Sequence, residues 1–194
     1  PVPVLKKQVL RFQYPSAYSD SVKVTPRFKI RPFVFLLKLL SDERIKYLLQ
    51  DEIALIVSVN AENESEKCYE SVVEQILRYR SYGDKILEDN YLQKYQASKK
   101  NLMDVANTMM NWLDYTQLVY REKKLIGIDE TKRTEVESIV SNIPSFIKYP
   151  VEADIYQRKY GVDPWHQKDT RNILQTETIS SQMVDRNRIL RAFF

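Results

Sequence analysis

Apolar residues recur every three or four positions between residues 98 and 114, which is the spacing of a helix with one buried face. They are Leu102, Met103, Val105, Ala106, Met109, Met110 and Leu113. The pattern then changes, since apolar residues lie on both sides of a charged run at 121–124; these are Leu118, Tyr120, Leu125 and Ile128. Two short strands about a charged turn account for this second pattern. The sequence therefore predicts a helix over about residues 101–114 that leads directly into a β-hairpin.

Further helices are predicted by the same spacing along the chain. Pro32 opens the most apolar of them, because proline is tolerated in the first turn of a helix; it is followed by Phe33, Val34, Leu36, Leu37, Leu39 and Leu40. We expect this helix to form the core. Other helices are expected over residues 6–13, 53–59, 65–82 and 131–141, with a loop at 16–29 and a short connecting segment at 45–49. Residues 81–100 are polar and predict an inserted loop or a short helix.

The last quarter of the chain has its own start and stop signals. An extended link is expected around Pro144 and Pro150, followed by a helix over residues 151–160 that stops at Gly161 and by a last helix over residues 179–194. We therefore divide the chain into a winged-helix-like domain at 1–142, with the insertion at about 81–100, and a helical linker or second small helical subdomain at 143–194. The predicted fold class is mainly α with a small β-hairpin: a winged-helix-like DNA-binding domain followed by a helical segment. A helix that feeds into a hairpin is typical of such domains.

The composition is that of a globular protein. Of the 194 residues, 43% are apolar and 29% are charged, and no apolar run reaches the roughly 18 to 20 residues that a membrane helix needs. No signal peptide is visible. The single cysteine, Cys68, excludes an internal disulfide, so a reducing, cytoplasmic setting is expected. Three widely separated glycines exclude a glycine-rich phosphate loop.

Charge is segregated along the chain, and this is more informative than the net charge of +4. Residues 1–50 hold ten basic and three acidic side chains, whereas residues 51–90 hold four and ten. Residues 91–128 again have a basic excess, with six against three. A bound polyanion would contact the first and third segments, because phosphate neutralisation dominates the affinity for nucleic acid and an acidic stretch repels it.

Basic residues lie where contacts with duplex DNA would need them. A helix N-terminus favours phosphate through its unpaired N–H groups and its dipole, and the residues at the predicted one are Lys99, Lys100 and Asn101. The predicted hairpin tip carries Arg121, Lys123 and Lys124. Further candidates for contact with the DNA backbone are Arg27, Lys29, Arg31, Arg78 and Arg80. The alternative interpretation is that these are ordinary solvated charges, as basic residues at helix ends and turns usually are.

A helix-turn-helix upstream is a competing site. The helix predicted over 65–82 follows a turn after an earlier helix, and in such a motif the second helix reads the groove. Its N-terminal end would face the phosphates, yet it is acidic; the residues are Glu62, Glu64, Glu66, Glu70 and Glu74. We therefore rank the helix that follows Lys99 and Lys100 above it.

One short motif has the spacing of a nuclease active site. Asp114 followed by Glu122 and Lys124 matches the carboxylate, gap and Glu-x-Lys arrangement in which two carboxylates hold Mg²⁺. In such nucleases the carboxylates lie on adjacent strands at the centre of a sheet. Here the pattern predicts a helix end and a hairpin turn, so we predict no catalytic residue and no metal site in this chain.

Several short stretches match one known family, in order, along about 155 residues. They are Leu10-Arg11-Phe12-Gln13-Tyr14-Pro15-Ser16; Ile30 and Pro32-Phe33-Val34-Phe35 with Leu37, Leu39 and Leu40; Asp51 with Ile53 and Ala54; Ile76 with Tyr79-Arg80; Asn101 and Asp104-Val105-Ala106; Tyr115-Thr116 with Leu118; and Glu152 through Tyr160-Gly161. By these residues the chain resembles the AlwI-type family of type IIS restriction endonucleases, which includes strand-specific nicking enzymes. One departure is Gln117, which stands where the family would have glycine, so a different entry to the hairpin is expected.

The resemblance implies that separate domains recognise and cleave the DNA. In that family an N-terminal DNA-recognition region precedes a separate PD-(D/E)xK nuclease domain, so this chain is expected to bind double-stranded DNA and to end before the nuclease begins. Mg²⁺ is implied for the intact enzyme, and a nuclease domain or a second subunit is the implied protein partner. A stand-alone winged-helix transcriptional regulator and a protein-interaction domain remain the alternatives. Sequence downstream of Phe194 in the intact gene would discriminate between the endonuclease recognition region and the stand-alone regulator.

Overall fold

A computed structural model describes residues 2–14, 27–87, 92 and 98–142 of the chain. The predicted loop at 16–29 therefore falls largely outside the described residues. The predicted helices at 151–160 and 179–194, and with them the proposed second segment at 143–194, fall wholly outside. Within the described ranges no helix combines the length and the apolar character that crossing a membrane requires.

Helices dominate the described part, and three short strands form one antiparallel sheet. The helices are α1 (Val2–Arg11), α2 (Pro32–Ser41), α3 (residues 50–60), α4 (Glu66–Tyr82), α5 (Lys99–Asp114) and α6 (Arg133–Ser141). The strands are β1 (Tyr47–Leu49), β2 (Val119–Glu122) and β3 (Leu125–Ile128), in the spatial order β1-β3-β2. The predicted class, mainly α with a small hairpin in a winged-helix-like arrangement, is confirmed for these residues.

The helix α2 forms the centre of the hydrophobic core, as its apolar sequence predicts. Pro32 occupies its first turn, and the residues after it are buried with the exception of Lys38 and Ser41. Leu37 and Leu39 expose none of their surface. Fully burying a large aliphatic side chain stabilises the fold by about 1.5–3 kcal/mol. The helices α1 and α6 and the sheet all pack on this helix.

The helix α5 and the hairpin form at the predicted positions. Ser98 caps the helix, since its hydroxyl accepts a hydrogen bond from the backbone N–H of Asn101 at 3.4 Å. The buried side of α5 consists of Ala106, Met110 and Leu113, whereas Val105, which the spacing places on that side, is 48% exposed. In the hairpin, Glu122 pairs with Leu125 across a two-residue turn.

The strand β1 is absent from the prediction, and the expectation of a mere connecting segment at 45–49 is wrong. Tyr47 lies opposite Gly127 and Leu49 opposite Leu125, so β1 adds a third strand to the hairpin. Three residues are too few to show the alternation by which strands are recognised. The strand exists because the backbone N–H and C=O groups along the edge of β3 pair with this segment, which is distant in the chain.

The connection from α5 to β2 passes through Gln117, whose φ is 58°. This left-handed backbone conformation favours glycine, because any Cβ is strained there. The backbone N–H of Gln117 donates to the carbonyl of Asp114 at 2.9 Å and so closes the helix end. The entry to the hairpin thus keeps the conformation that a glycine would adopt, although the residue is glutamine.

Candidate nucleic-acid interface

The hairpin is fastened to the side of α5 by one arginine. On β2, the Arg121 guanidinium donates from Nη2 to Oδ1 of Asn107 at 2.6 Å and from Nη1 to Oδ1 of Asn111. Its Nε donates to the carbonyl of Lys123 at 3.1 Å, which also secures the turn. Arg121 therefore joins helix and hairpin into one exposed surface, which we call the helix–hairpin surface. It comprises the exposed side of α5 and the turn formed by Lys123 and Lys124.

The start of α5 brings the first predicted group together. Lys99, Lys100 and Asn101 are all exposed in its first turn. Lys99 lies 3.5 Å from a carboxylate oxygen of Asp84, and both of these side chains are more than half exposed, so the ion pair is weak. Lys100 has no ion pair with any residue that the structure describes.

The hairpin turn presents the second predicted group. Lys123 and Lys124 are exposed, and within the described ranges neither forms an ion pair. Lys123 has a φ of 53°, which matches a two-residue hairpin turn with a left-handed first position. Both ammonium groups therefore lie in solvent at the outer end of the hairpin. The third predicted residue of this group, Arg121, serves instead as the fastening described above.

The basic residues of the first segment are arranged quite differently. Four of them form ion pairs with glutamates at the start of α4 or just before it, at distances of 2.6–2.8 Å. We call this arrangement the charged seam; its pairs are Arg27 with Glu62, Arg31 with Glu64, Lys38 with Glu66, and Arg44 with Glu70. Four of the five glutamates expected to repel phosphate are thus neutralised by cations of the basic first segment, which was expected to attract it.

Two of the predicted DNA contacts are bound to carboxylates inside the domain, and of these Arg31 is buried and Arg80 half-buried. Arg31 is 6% exposed, and its guanidinium and backbone N–H both donate to Glu64. Arg80 donates to both carboxylate oxygens of Glu52, at 2.6 and 3.0 Å, and the Glu52 side chain has no exposed surface. The Tyr47 ring covers the Arg80 guanidinium at 4.4 Å. We therefore correct the expectation that Arg31 and Arg80 reach a DNA backbone, since each guanidinium is needed to neutralise a carboxylate inside the domain.

The remaining predicted residues lie apart from the helix–hairpin surface. Arg27 is half-buried, donates to Glu62 and to the carbonyl of Val59, and belongs to the seam. Lys29 is exposed, and its backbone N–H donates to the carbonyl of Glu62 at 2.6 Å. Arg78 is exposed on α4. Their contact with DNA stays a prediction, whereas the structure gathers the two lysine groups of α5 and the hairpin on one surface.

The seam also changes the protonation of one carboxyl group at the end of α2. Hydrogen bonds from Arg44 lower the pKa of Asp42 to about 2, with a further contribution from the Tyr69 hydroxyl, which donates to it at 2.9 Å. Burial and the neighbouring Asp42 carboxylate raise the pKa of the Tyr69 hydroxyl. Asp42 is therefore ionised throughout the neutral and mildly acidic range, and it helps to hold the seam in place.

Two asparagines on the helix–hairpin surface escaped the sequence analysis. Asn107 and Asn111 are exposed one helical turn apart, opposite the buried side of α5. The available signal was their spacing of four residues, which places them on one side of a helix. Charge alone does not reveal them, because asparagine contributes none.

The Asp114, Glu122 and Lys124 motif lies at the end of α5, at the end of β2 and in the turn. In the described ranges no three His, Cys, Asp or Glu side chains come together as a metal ion would require.

The two comparisons that found a match both point to domains of endonucleases. The model of the family described as "Type II restriction endonuclease HgaI, N-terminal domain" matches residues 4–140. Among solved structures, a similar one is described as "Crystal structure of pyrene- and phenanthrene-modified DNA in complex with the BpuJ1 endonuclease binding domain", with a TM-score of 0.53 and 18% sequence identity. The likeness covers 85% of this chain and 63% of that one, so this chain matches less than two thirds of that protein's length. No curated protein sequence matches the chain.

Proposed function

Because the chain belongs to the family of the N-terminal domain of the type II restriction endonuclease HgaI, we propose that it is a DNA-recognition domain. Its partner is double-stranded DNA, which it binds in a sequence-specific way without chemistry of its own. The similar BpuJ1 binding domain is described in complex with DNA, and that description supports the proposal. We also propose a cytoplasmic location, in line with a single cysteine.

The helix–hairpin surface is the observation that carries this proposal. Duplex DNA is bound chiefly through its phosphates, and each contact places a protein cation on a phosphate and releases the small cations condensed there. A protein cation that is not already held by a carboxylate is available for this. Lys100, Lys123 and Lys124 meet this requirement within the described part of the chain, whereas the cations of the seam already neutralise glutamates. A winged-helix-like domain of this kind would set α5 in or beside a groove and the hairpin along the backbone.

The narrower AlwI-type relationship and the chemistry of the whole enzyme belong to the same proposal. The matching stretches at 10–16, 30–40 and 101–118 support a type IIS enzyme that cuts outside its recognition sequence. Cleavage would then be the task of a PD-(D/E)xK nuclease domain in the intact protein, and Mg²⁺ would serve that domain. We infer that the seam and the helix–hairpin surface need no metal to fold or to bind.

Binding in the absence of a metal tests the proposal. Fluorescently labelled duplexes with random sequence and duplexes selected from a random pool are titrated with the protein in EDTA at about 50 and 200 mM salt. We expect binding to both, tighter to the selected pool, with log Kd rising with log salt by about 0.9 for each phosphate contacted. Absence of binding at the lower salt concentration would contradict the proposal, and a requirement for Mg²⁺ would contradict its metal-free form.

A further inference from the structure

The contact between Arg121 and the two asparagines has a chemical consequence. A guanidinium carries N–H donors and no acceptor, so it can bond to an asparagine only through the amide oxygen. Arg121 bonds in this way to Oδ1 of both Asn107 and Asn111. The two amides are therefore oriented with their oxygens toward Arg121. Their Nδ2 groups have no hydrogen-bond partner within the described ranges, so each amide turns its donors, rather than its oxygen, away from Arg121. We call these two residues the amide pair.

The amide pair shares the helix–hairpin surface with the unpaired cations. Lys100 precedes Asn107 by seven residues and Asn111 by eleven, so all three lie along one side of α5. Lys123 and Lys124 lie at the end of the hairpin that Arg121 holds against the same side. In a DNA groove the phosphates border both walls and the base edges lie between them. A surface that carries both lysines and amide donors has the two kinds of group that such a groove requires.

We propose that the amide pair reads guanine in the major groove. This inference rests on the proposed function, because it assumes that the domain binds duplex DNA. Guanine presents two neighbouring acceptors there, O6 and N7, whereas adenine presents one acceptor and one donor, and cytosine presents a donor. An asparagine that reads adenine uses its oxygen and its nitrogen together. Arg121 holds those oxygens toward itself, so the amides present their donors, which favours the acceptor-only base.

The first test compares the sequences selected by the wild-type domain and by the Asn107→Ala, Asn111→Ala double variant. Alanine is the best helix former, so the variant is expected to fold. We expect the preference for guanine at one or two positions to fall by about 5- to 150-fold, the range for one good bidentate pair. Affinity for random duplexes should change much less than this preference, and the salt slope by no more than about 1, since the substitutions also free Arg121 from its two side-chain acceptors. The matched control is Gln75→Ala, which removes an amide from α4 and should leave the selected sequence as it is.

The second test removes the acceptor from the DNA. At the guanine position that the double variant no longer selects, 7-deazaguanine replaces N7 with carbon and keeps O6. We expect this change to weaken binding by the wild-type domain several-fold and binding by the double variant much less. Arg121→Met, which frees both amide oxygens, should let adenine be accepted at that position as well.

The outcomes separate the inference from the proposed function. If the wild-type domain binds no duplex, both fail. If it binds with a sequence preference and the double variant keeps that preference, the inference fails alone. The inference also fails alone if the preference that disappears is not for guanine, or if the double variant weakens random and selected duplexes equally, because the amides would then contact phosphate.

Discussion

The charged seam and the helix–hairpin surface use similar residues for opposite purposes. In the seam, Arg31 and Arg44 are held by glutamates, and Arg31 is almost completely buried. On the helix–hairpin surface, Lys123 and Lys124 extend into solvent with no acidic partner among the described residues. A cation already bound to a carboxylate must give up that partner before it can bind phosphate. A basic residue that the fold leaves unpaired is thus a stronger candidate for DNA binding than one held by a carboxylate.

The two regions also differ in the kind of positive residue they use. The seam contains mainly arginine, whose planar guanidinium can bond to a carboxylate through two N–H groups. The free cations at the start of α5 and at the turn are lysines, which hold their charge in water on flexible stems. Arg121 follows the seam pattern although it lies on the helix–hairpin surface, since it joins two elements. The exposed lysines are therefore the residues with which to test binding, and the arginines those with which to test folding.

The largest expected effect is on stability, at the pair formed by the buried Glu52 and the half-buried Arg80. Arg80→Met leaves the Glu52 carboxylate buried without its partner, which typically costs about 3–5 kcal/mol. Urea unfolding followed by circular dichroism should show this loss. Arg78→Met is the matched control on the same helix, and because Arg78 is exposed we expect a change within about 0.5 kcal/mol. Equal effects of the two substitutions would contradict the assignment of Arg80 to the fold.

The second prediction compares binding by the two regions directly. Lys100→Ala, Lys123→Gly and Lys124→Ala together should weaken binding to selected and random duplexes alike. The salt slope should fall by up to about 1 for each phosphate that is no longer neutralised. Glycine is chosen at Lys123 because it relieves the positive φ there, so weaker binding cannot be attributed to a strained turn. The measurement is the dissociation constant at two salt concentrations.

Two seam variants serve as the controls for that experiment. Lys38→Ala with Arg44→Ala should change binding little, since both cations are paired with glutamates. Glu66→Ala with Glu70→Ala should leave binding equal or raise it, because Lys38 then loses its ion-pair partner and Arg44 keeps only Asp42. A loss of affinity in either seam variant, with unchanged binding in the lysine variant, would move the DNA to α4.

The third prediction uses the lowered pKa of Asp42. A carboxyl group with a pKa of about 2 in the folded domain and an ordinary value of 3.8 when unfolded stabilises the fold above pH 4. That stabilisation is lost progressively as the pH falls from about 4 to 2. Over this window we expect the free energy of unfolding to fall by about 1 kcal/mol more in wild type than in Asp42→Asn. The figure is modest because the Arg44 partner is half-exposed. Urea midpoints measured at several pH values should therefore converge at low pH; parallel curves would contradict the prediction.

The smallest expected effect is at the entry to the hairpin. Gln117→Gly should stabilise the domain by about 0.5 kcal/mol, because relief of the left-handed strain outweighs the greater freedom of glycine in the unfolded chain. Gln75→Gly, in the middle of α4, should instead destabilise by about 1 kcal/mol. Thermal unfolding of both variants against wild type measures the difference. A loss of stability in Gln117→Gly would mean that the glutamine side chain has a packing role.

The sequence by itself determined the local elements with strong patterns. α2 could be located because an apolar run that follows proline is typical of a buried helix. α5 could be located because its buried residues follow the helical period. The hairpin followed from the change of period at Leu118. These signals are local, since helix hydrogen bonds and the turn of a hairpin join residues that are close together in the chain. The same locality allowed the lysines at the start of α5 and at the turn to be proposed together.

Only the tertiary structure decided which charges are free and where the third strand lies. Arg31 meets Glu64 and Arg80 meets Glu52 across some thirty residues, and each pair forms only because packing brings distant segments together. β1 likewise depends on the edge of β3, and the amide pair acquires its orientation from Arg121 on another element. A charge in a sequence has no partner until the chain is folded. Composition could therefore indicate a polyanion ligand, but not which cations remain available to bind it.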